Sequence, residues 1–153
     1  MGNGFKIRCE KCGYEFTAML GVGMMFPTLY DETVSEIKKG KYGEEYKKFF
    51  EDNPNAAVNC ERVTAVCNKC GKLDSVMDLS LYLPKDASVK NAGYVMEEEF
   101  ESDFKKCMEY DHKCSCGGSM EIIDLLFKLA ARKVKCPKCK SNMQLTPELI
   151  NWD

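Results

Sequence analysis

Four close pairs of cysteines constrain this 153-residue chain more than any other feature. Three pairs enclose two residues and one encloses a single residue: Cys9/Cys12, Cys67/Cys70, Cys136/Cys139 and Cys114/Cys116. A turn of this length points two sulfur atoms at one centre, which suits a tetrahedral zinc ion with Zn–S distances of about 2.3 Å. A disulfide framework has no reason to set its cysteines in close pairs four times. The spacing therefore predicts that these eight cysteines are metal ligands for two zinc ions.

The cysteine pairs resemble those of zinc ribbon proteins. The motif Cys114-x-Cys116-Gly117-Gly118 is followed by Cys136-Pro137-Lys138-Cys139, and nineteen residues separate Cys116 from Cys136. A second ribbon is suggested by Cys9-x2-Cys12-Gly13 together with Cys67-x2-Cys70-Gly71, with fifty-four residues between the two motifs. The resemblance implies ligand turns, called knuckles, at hairpin tips in front of a small sheet. The pattern is broken by the short third knuckle and by Lys140, where glycine is usual.

Rubredoxin is a second resemblance. Cys12-Gly13-Tyr14 and Cys136-Pro137-Lys138-Cys139 each resemble one of its iron knuckles, although 123 residues separate Cys12 from Cys136. It implies iron and electron transfer. Four thiolates can hold either metal, so iron stays an alternative to zinc.

The pairing of the knuckles determines the domain organisation. Sequential pairing closes loops of 54 and 19 residues, whereas nested pairing closes 123 and 43. The nested arrangement costs only about 1.5 kcal/mol more in loop entropy, against roughly 10 to 16 kcal/mol from a structural zinc. We expect sequential pairing, because each half then folds as its own unit. This predicts an α+β fold of two ribbon-like units with short antiparallel sheets, residues 1–84 and 94–153, joined by a linker at 85–93.

Two helices are predicted as an insertion into the first unit, at about residues 28–53. The first begins after an N-cap at Asp31 and ends at Gly40. The second runs from near Gly43 to Asn53-Pro54 and carries an aromatic stripe that we assign to the core: Tyr42, Tyr46, Phe49 and Phe50.

Strands are predicted where apolar residues are continuous or alternate. These are residues 5–8, 58–66, 76–83 and 120–123. Residues 94–109 fit a helix that gives way to a strand leading into Cys114, and residues 125–131 fit a short helix or turn. Thr146-Pro147-Glu148 predicts a closing helical turn through Ile150, with Trp152 folded back on the core.

Catalysis is not expected from this set of residues. Four thiolates fill a tetrahedral ion, so both sites are predicted to be structural and the protein is not expected to be an enzyme. His112 is the one histidine, and we interpret it as a hydrogen-bonding or solvent-facing residue, with ligand or general base as the alternative. Cys60 and Cys107 are left over and are interpreted as buried apolar residues, with redox chemistry or alternative ligation open.

The net charge, a basic run and a segment of apolar residues indicate which kind of partner to expect. The formal charge of −2 becomes about −6 with two zinc ions on eight thiolates, which argues against a general nucleic-acid binder. A basic run with no acid from Leu125 to Lys140 keeps a nucleic-acid-binding ribbon as the alternative: Lys128, Arg132, Lys133, Lys135, Lys138 and Lys140. The segment Gly21–Tyr30, with Met24, Met25 and Phe26, is the predicted protein-contact loop.

The expected function is a zinc-binding protein-interaction or adaptor module with an unidentified protein partner. No run of eighteen apolar residues and no signal-peptide core are found, so we expect a cytoplasmic protein without a membrane partner. The oligomeric state is left open.

Overall fold

The computed structural model describes residues 2–153, which form nine strands and four helices. In chain order the elements are β1 (Gly2–Cys9), β2 (Glu15–Leu20), α1 (Phe26–Lys38), α2 (Glu44–Asp52), β3 (Ala57–Val58), β4 (Arg62–Cys67), β5 (Leu73–Met77), β6 (Leu81–Pro84), α3 (Glu97–Asp103), β7 (Phe104–Met108), β8 (Met120–Ile123), α4 (Leu125–Ala130) and β9 (Met143–Trp152). The strands pair into three antiparallel sheets with the orders β2-β1-β9, β5-β4-β8 and β3-β6-β7. The predicted α+β class is confirmed.

Two compact units are present, and each is assembled from separate stretches of chain. Unit 1 comprises Met1–Met24, Glu61–Met77 and Asp111–Asp153, and unit 2 comprises Met25–Cys60 and Asp78–Tyr110. All eight paired cysteines belong to unit 1. Neither unit coincides with the predicted residues 1–84 or 94–153, and the predicted linker lies inside unit 2 as irregular chain between β6 and α3.

The core of unit 1 surrounds the knuckles. Ile7 and Ala18 are fully buried on β1 and β2, and they pack in one cluster with Cys9 and Cys136. Further members of this cluster are Leu73, Leu125, Val134 and Met143. The apolar residues of the sheet and the sulfur atoms therefore share one core, so that the sheet positions the ligand turns.

Two predicted strands are each interrupted. The segment 58–66 divides into β3 and β4, and the segment 76–83 divides into β5 and β6. At the second break Leu79 has a φ of 62°, a left-handed conformation that an alternating pattern does not reveal. The Leu79 N–H donates to the Asn59 carbonyl at 2.8 Å, and the Asn59 N–H donates to the Ser80 carbonyl at 2.9 Å. Backbone groups at one break are thus hydrogen-bonded to backbone groups at the other.

The predicted C-terminal helix is wrong, because residues 143–152 form β9. This strand pairs with β1, where Ile7 lies opposite Leu145 and Phe5 lies opposite Leu149, leaving residues 146–148 as a bulge. Pro147 has no N–H to donate and is therefore tolerated at a bulge. Trp152 is half-buried, and its indole N–H donates to the Asn3 carbonyl at 3.2 Å.

The two helices predicted for residues 28–53 are present in unit 2, although the first has a different start. Helix α1 begins at Phe26, five residues before the expected Asp31, because Pro27 suits the first turn of a helix. Helix α2 agrees with its prediction and buries Tyr46 and Phe50. A helix followed by a strand is present as predicted, but α3 ends at Asp103, and β7 occupies residues 104–108, which were predicted to be helical. The strand predicted to lead into Cys114 is absent, since residues 109–112 are irregular. No helix among the described residues combines the length and the apolar composition that crossing a lipid bilayer requires.

Unit 2 should depend on Leu81, which is fully buried on the central strand of its sheet. We expect Leu81→Ala to destabilise unit 2 by about 2 to 5 kcal/mol, because the truncated side chain leaves a cavity. Hydrogen exchange at the β3 and β7 amides should accelerate accordingly. Leu83→Ala, on the same strand but half-buried, is the matched control and should cost less. An equal effect of the two variants would contradict this account of the core.

Candidate metal centres

The eight cysteines meet in two groups of four, and the pairing is nested. The outer centre consists of Cys9, Cys12, Cys136 and Cys139, and the inner centre consists of Cys67, Cys70, Cys114 and Cys116. The predicted sequential pairing is therefore wrong. Its premise was that each half of the chain folds alone, whereas the observed β9 pairs with β1 and β8 pairs with β4. These pairings bring the fourth knuckle to the first and the third knuckle to the second.

The sulfur atoms in each group are placed as four ligands of one ion would be. In the outer centre the Sγ atoms of Cys9 and Cys139 are 3.4 Å apart, and those of Cys12 and Cys136 are 3.6 Å apart. In the inner centre the corresponding distances are 3.4 and 3.7 Å. A tetrahedral ion with 2.3 Å bonds to sulfur implies about 3.8 Å between its ligands, whereas a disulfide requires about 2.05 Å. Each group could thus hold one metal ion.

Backbone hydrogen bonds shape three of the knuckles in the same way. In the first, the Cys9 N–H donates to the Tyr14 carbonyl at 2.8 Å, and the Gly13 N–H donates to the Cys9 carbonyl at 3.2 Å. The knuckles that begin at Cys67 and Cys136 repeat both bonds at the same spacing. A backbone N–H also donates to a sulfur, as from Cys12 to Cys9 Sγ at 3.5 Å. Such bonds favour the thiolate form that a metal requires.

The third knuckle closes with one residue fewer. The Cys114 N–H donates to the Gly118 carbonyl and the Gly117 N–H donates to the Cys114 carbonyl, both at 2.9 Å. Each bond spans one residue less than its counterpart in the other knuckles, which explains the shorter cysteine spacing. Gly118 has a separate role, since a Cβ there would lie 2.6 Å from Cys67 Sγ. The second glycine of this motif therefore gives the inner centre its space.

Lys140 adopts the glycine-like conformation of the fourth knuckle and links the two centres. Its φ is 64°, in the left-handed region that usually favours glycine. Its Nζ donates to the Pro137 carbonyl at 3.3 Å and to the Cys70 carbonyl at 3.2 Å. The amine thus connects the outer-centre knuckle with a ligand residue of the inner centre, a role that no sequence pattern indicated.

The pKa values of the cysteine thiols within each centre differ strongly. At the inner centre, the N–H of Cys70 donates to Cys67 and lowers the pKa of the Cys67 thiol to about 6. The N–H of Gly118 likewise lowers the pKa of the Cys116 thiol. Hydrogen bonding to the Cys67 thiol, burial and the two remaining thiols outweigh that effect and raise the pKa of Cys116 to about 11. The outer centre divides similarly. Four thiols this close cannot all ionise without a cation between them.

The other candidate residues lie outside both centres. His112 is buried rather than solvent-facing and belongs to neither group of ligands. Cys60 is buried as predicted, and burial raises the pKa of its thiol to about 11. Cys107 is exposed, so its prediction as a buried residue is wrong.

The predicted contact loop is shorter than expected, because α1 begins at Phe26. Met24 and Met25 are 64% and 66% exposed, and they belong to different units. The Phe26 ring lies against that of Tyr94, with 4.4 Å between their centroids.

Comparison of the chain with protein-family models, with curated proteins and with solved structures finds no match.

The nested pairing predicts which double substitutions spare a metal ion. Cys12→Ser with Cys139→Ser removes two ligands from one centre, so native mass spectrometry should find one metal per chain. Cys12→Ser with Cys70→Ser is the matched control and should lose both metals, because it damages both centres. Sequential pairing gives the opposite result for each protein.

Two substitutions at Lys140 should separate its backbone strain from its amine contacts. Both Lys140→Gly and Lys140→Ala remove the amine, but only glycine is relaxed at a φ of 64°. We therefore expect the glycine variant to be more stable than the alanine variant by about 1 kcal/mol in denaturant unfolding of the metal-loaded protein. Equal stability of the two variants would contradict a strained backbone at this position.

Proposed function

We propose that the protein is a non-catalytic protein-interaction module whose unit 1 is held by two structural zinc ions. The observation that carries this proposal is a set of exposed apolar side chains beside the outer centre. They lie on α4 and β9, and we call them the α4–β9 face: Leu126, Phe127 and Leu145.

The α4–β9 face has the properties of a contact surface. Its three side chains are 44%, 64% and 48% exposed. Leu126 and Leu145 line one groove of about 410 Å³, together with Leu129, Ala130 and Met143, while its polar rim consists of Glu10, Arg132, Asn142 and Gln144. Large apolar side chains grouped around a groove and left in water often mark the site where a partner binds.

Zinc in both centres is consistent with a structural role. Four thiolates leave no coordination position for water or substrate, so neither centre would activate a reactant. The ion would instead hold the three chain segments of unit 1 together and add to its small apolar core. Within the described residues, His112 and both unpaired cysteines lie outside the two groups, so no group there supplies an open metal position.

An iron electron carrier is the alternative that nested pairing favours at the outer centre. The two rubredoxin-like turns, separated by 123 residues in the chain, lie together in the structure. Metal analysis and colour distinguish the two metals, because an iron–thiolate centre absorbs visible light and a zinc centre does not. A colourless protein with two zinc ions per chain supports the structural role.

Nucleic-acid binding is the second candidate and is supported by the lysines around α4. Phe127 is the one aromatic side chain of the described part of unit 1 that is largely exposed. Single-strand binders usually offer several such rings for base stacking. Protein binding therefore takes precedence over this alternative.

The α4–β9 face is tested by making it polar. We expect Leu126→Ser with Phe127→Ser to abolish the recovery of a specific partner from extracts of the source cells, because truncated hot-spot side chains commonly cost over 2 kcal/mol each. Quantitative mass spectrometry of tagged protein against untagged extract measures the loss.

The matched control is Ile122→Ser, which exposes a comparable polar group on β8 while leaving the α4–β9 face intact. All variants must retain two metal ions per chain. A partner recovered equally by wild type and by the double variant would refute the assignment of the face.

A further inference from the structure

From the surroundings of α4 we infer that the partner presents an acidic, amphipathic peptide segment, whose apolar side chains occupy the α4–β9 groove and whose carboxylates bind a neighbouring cleft of lysines. This inference rests on the proposed function, because it assigns the chemistry of the partner to the same face. The lysine cleft is defined by four residues: Lys128, Lys133, Lys135 and Lys140.

The lysine cleft is small and only partly polar. Its volume is about 210 Å³, and among the described residues Glu121 is the one acidic residue that lines it beside the four lysines. Its remaining walls include the side chains of Val66, Ile123 and Val134. An anion with an apolar part therefore matches this cleft better than a fully hydrated one.

Two of the four lysines are available to a ligand. Lys140 is engaged with two backbone carbonyls, and the Lys135 amine donates to Asn142 Oδ1 at 2.6 Å. By contrast, the side chains of Lys128 and Lys133 make no hydrogen bond or ion pair with the described residues 2–153. Neither charge is therefore held in an ion pair with any of these residues, although Glu121 lines the same cleft.

Helix α4 contributes to both depressions. Leu126 and Leu129 line the apolar groove, whereas Lys128 lines the cleft. A helix is about 10 Å across, and an extended peptide advances about 3.3 Å per residue. A segment of about four to six residues could therefore carry an apolar anchor on one side of α4 and carboxylates on the other.

A peptide fits this pair of sites better than a nucleic acid does. None of the described residues that line the groove carries an aromatic ring on which a base could stack, so a nucleic acid would engage mainly the lysines. An amphipathic peptide can fill the groove with apolar side chains and place carboxylates at the lysines. Complementary charge then sets the association rate and register, and apolar burial supplies most of the affinity.

The test uses a fluorescent synthetic peptide with the sequence of residues 94–104, Tyr-Val-Met-Glu-Glu-Glu-Phe-Glu-Ser-Asp-Phe, which combines five acids with apolar side chains. We expect it to bind the zinc-loaded protein in fluorescence anisotropy. Lys128→Glu with Lys133→Glu should weaken binding by at least about tenfold, and added salt should weaken it as well. Lys133→Glu alone, at an exposed position, provides a second variant with little risk to folding.

Two control ligands separate the outcomes. The same peptide with its acids replaced by Gln and Asn should bind at least about tenfold more weakly; equal binding of both peptides would overturn carboxylate recognition while leaving the α4–β9 face intact. No binding of the acidic peptide would overturn the inference but not the partner recovery that tests the proposed function. Tighter binding of a twenty-nucleotide oligothymidine, lost on the same lysine substitutions, would also overturn it, in favour of nucleic acid.

Discussion

The convergence of cysteine sulfur atoms from distant parts of the chain, in two groups that could each hold a metal ion, is the constraint on which unit 1 depends. The outer centre joins Cys12 to Cys136 across 123 intervening residues, and the inner centre joins Cys70 to Cys114 across 43. Closing such loops is entropically costly, but a structural zinc supplies roughly 10 to 16 kcal/mol. Each ion would therefore offset the closure that makes its own site. Sheet pairing of β1 with β9 and of β4 with β8 provides the matching framework.

Nested pairing is compatible with a unit 2 whose two stretches of chain interrupt the sequence of unit 1. Residues 25–60 and 78–110 leave and re-enter unit 1 between its ligand-bearing segments. Their own core contains Ala57, Tyr82, Val95 and Phe100, with no metal ligand among them. A unit with aromatic packing of this kind does not need a metal to replace its interior. The chain thus combines two solutions to the problem of a small core, one in each unit.

Local signals predicted the ligands and several elements, but not the long-range connections. Cysteine spacing identified the eight grouped residues, and helical periodicity located α2, because both depend on a few neighbouring residues. Pairing depends on sheet contacts between remote strands, and the loop entropies differ by only about 1.5 kcal/mol, which cannot decide it.

Two backbone features were equally invisible to sequence patterns. Leu79 lies in a regular alternation of apolar residues, yet its left-handed backbone interrupts the strand. This conformation is held by hydrogen bonds from its N–H to Asn59 and from the Tyr46 hydroxyl to its carbonyl. Pro147 follows a threonine as in a helix start, yet pairing with β1 places it in a bulge. In both cases tertiary contacts override the local preference.

The net charge of unit 1 depends on whether the two metal centres are filled. The unit has thirteen Lys and Arg residues and nine Asp and Glu residues, a formal charge of +4. Two four-thiolate centres filled with zinc would contribute about −2 each, which would make the loaded unit neutral overall. Lys140 contacts backbone carbonyls of the knuckles, so its charge acts close to the thiolates. Lys128 and Lys133 have no comparable contact, so a loaded unit that is neutral overall would still carry a local positive charge at the lysine cleft, next to the ligand residue Cys136.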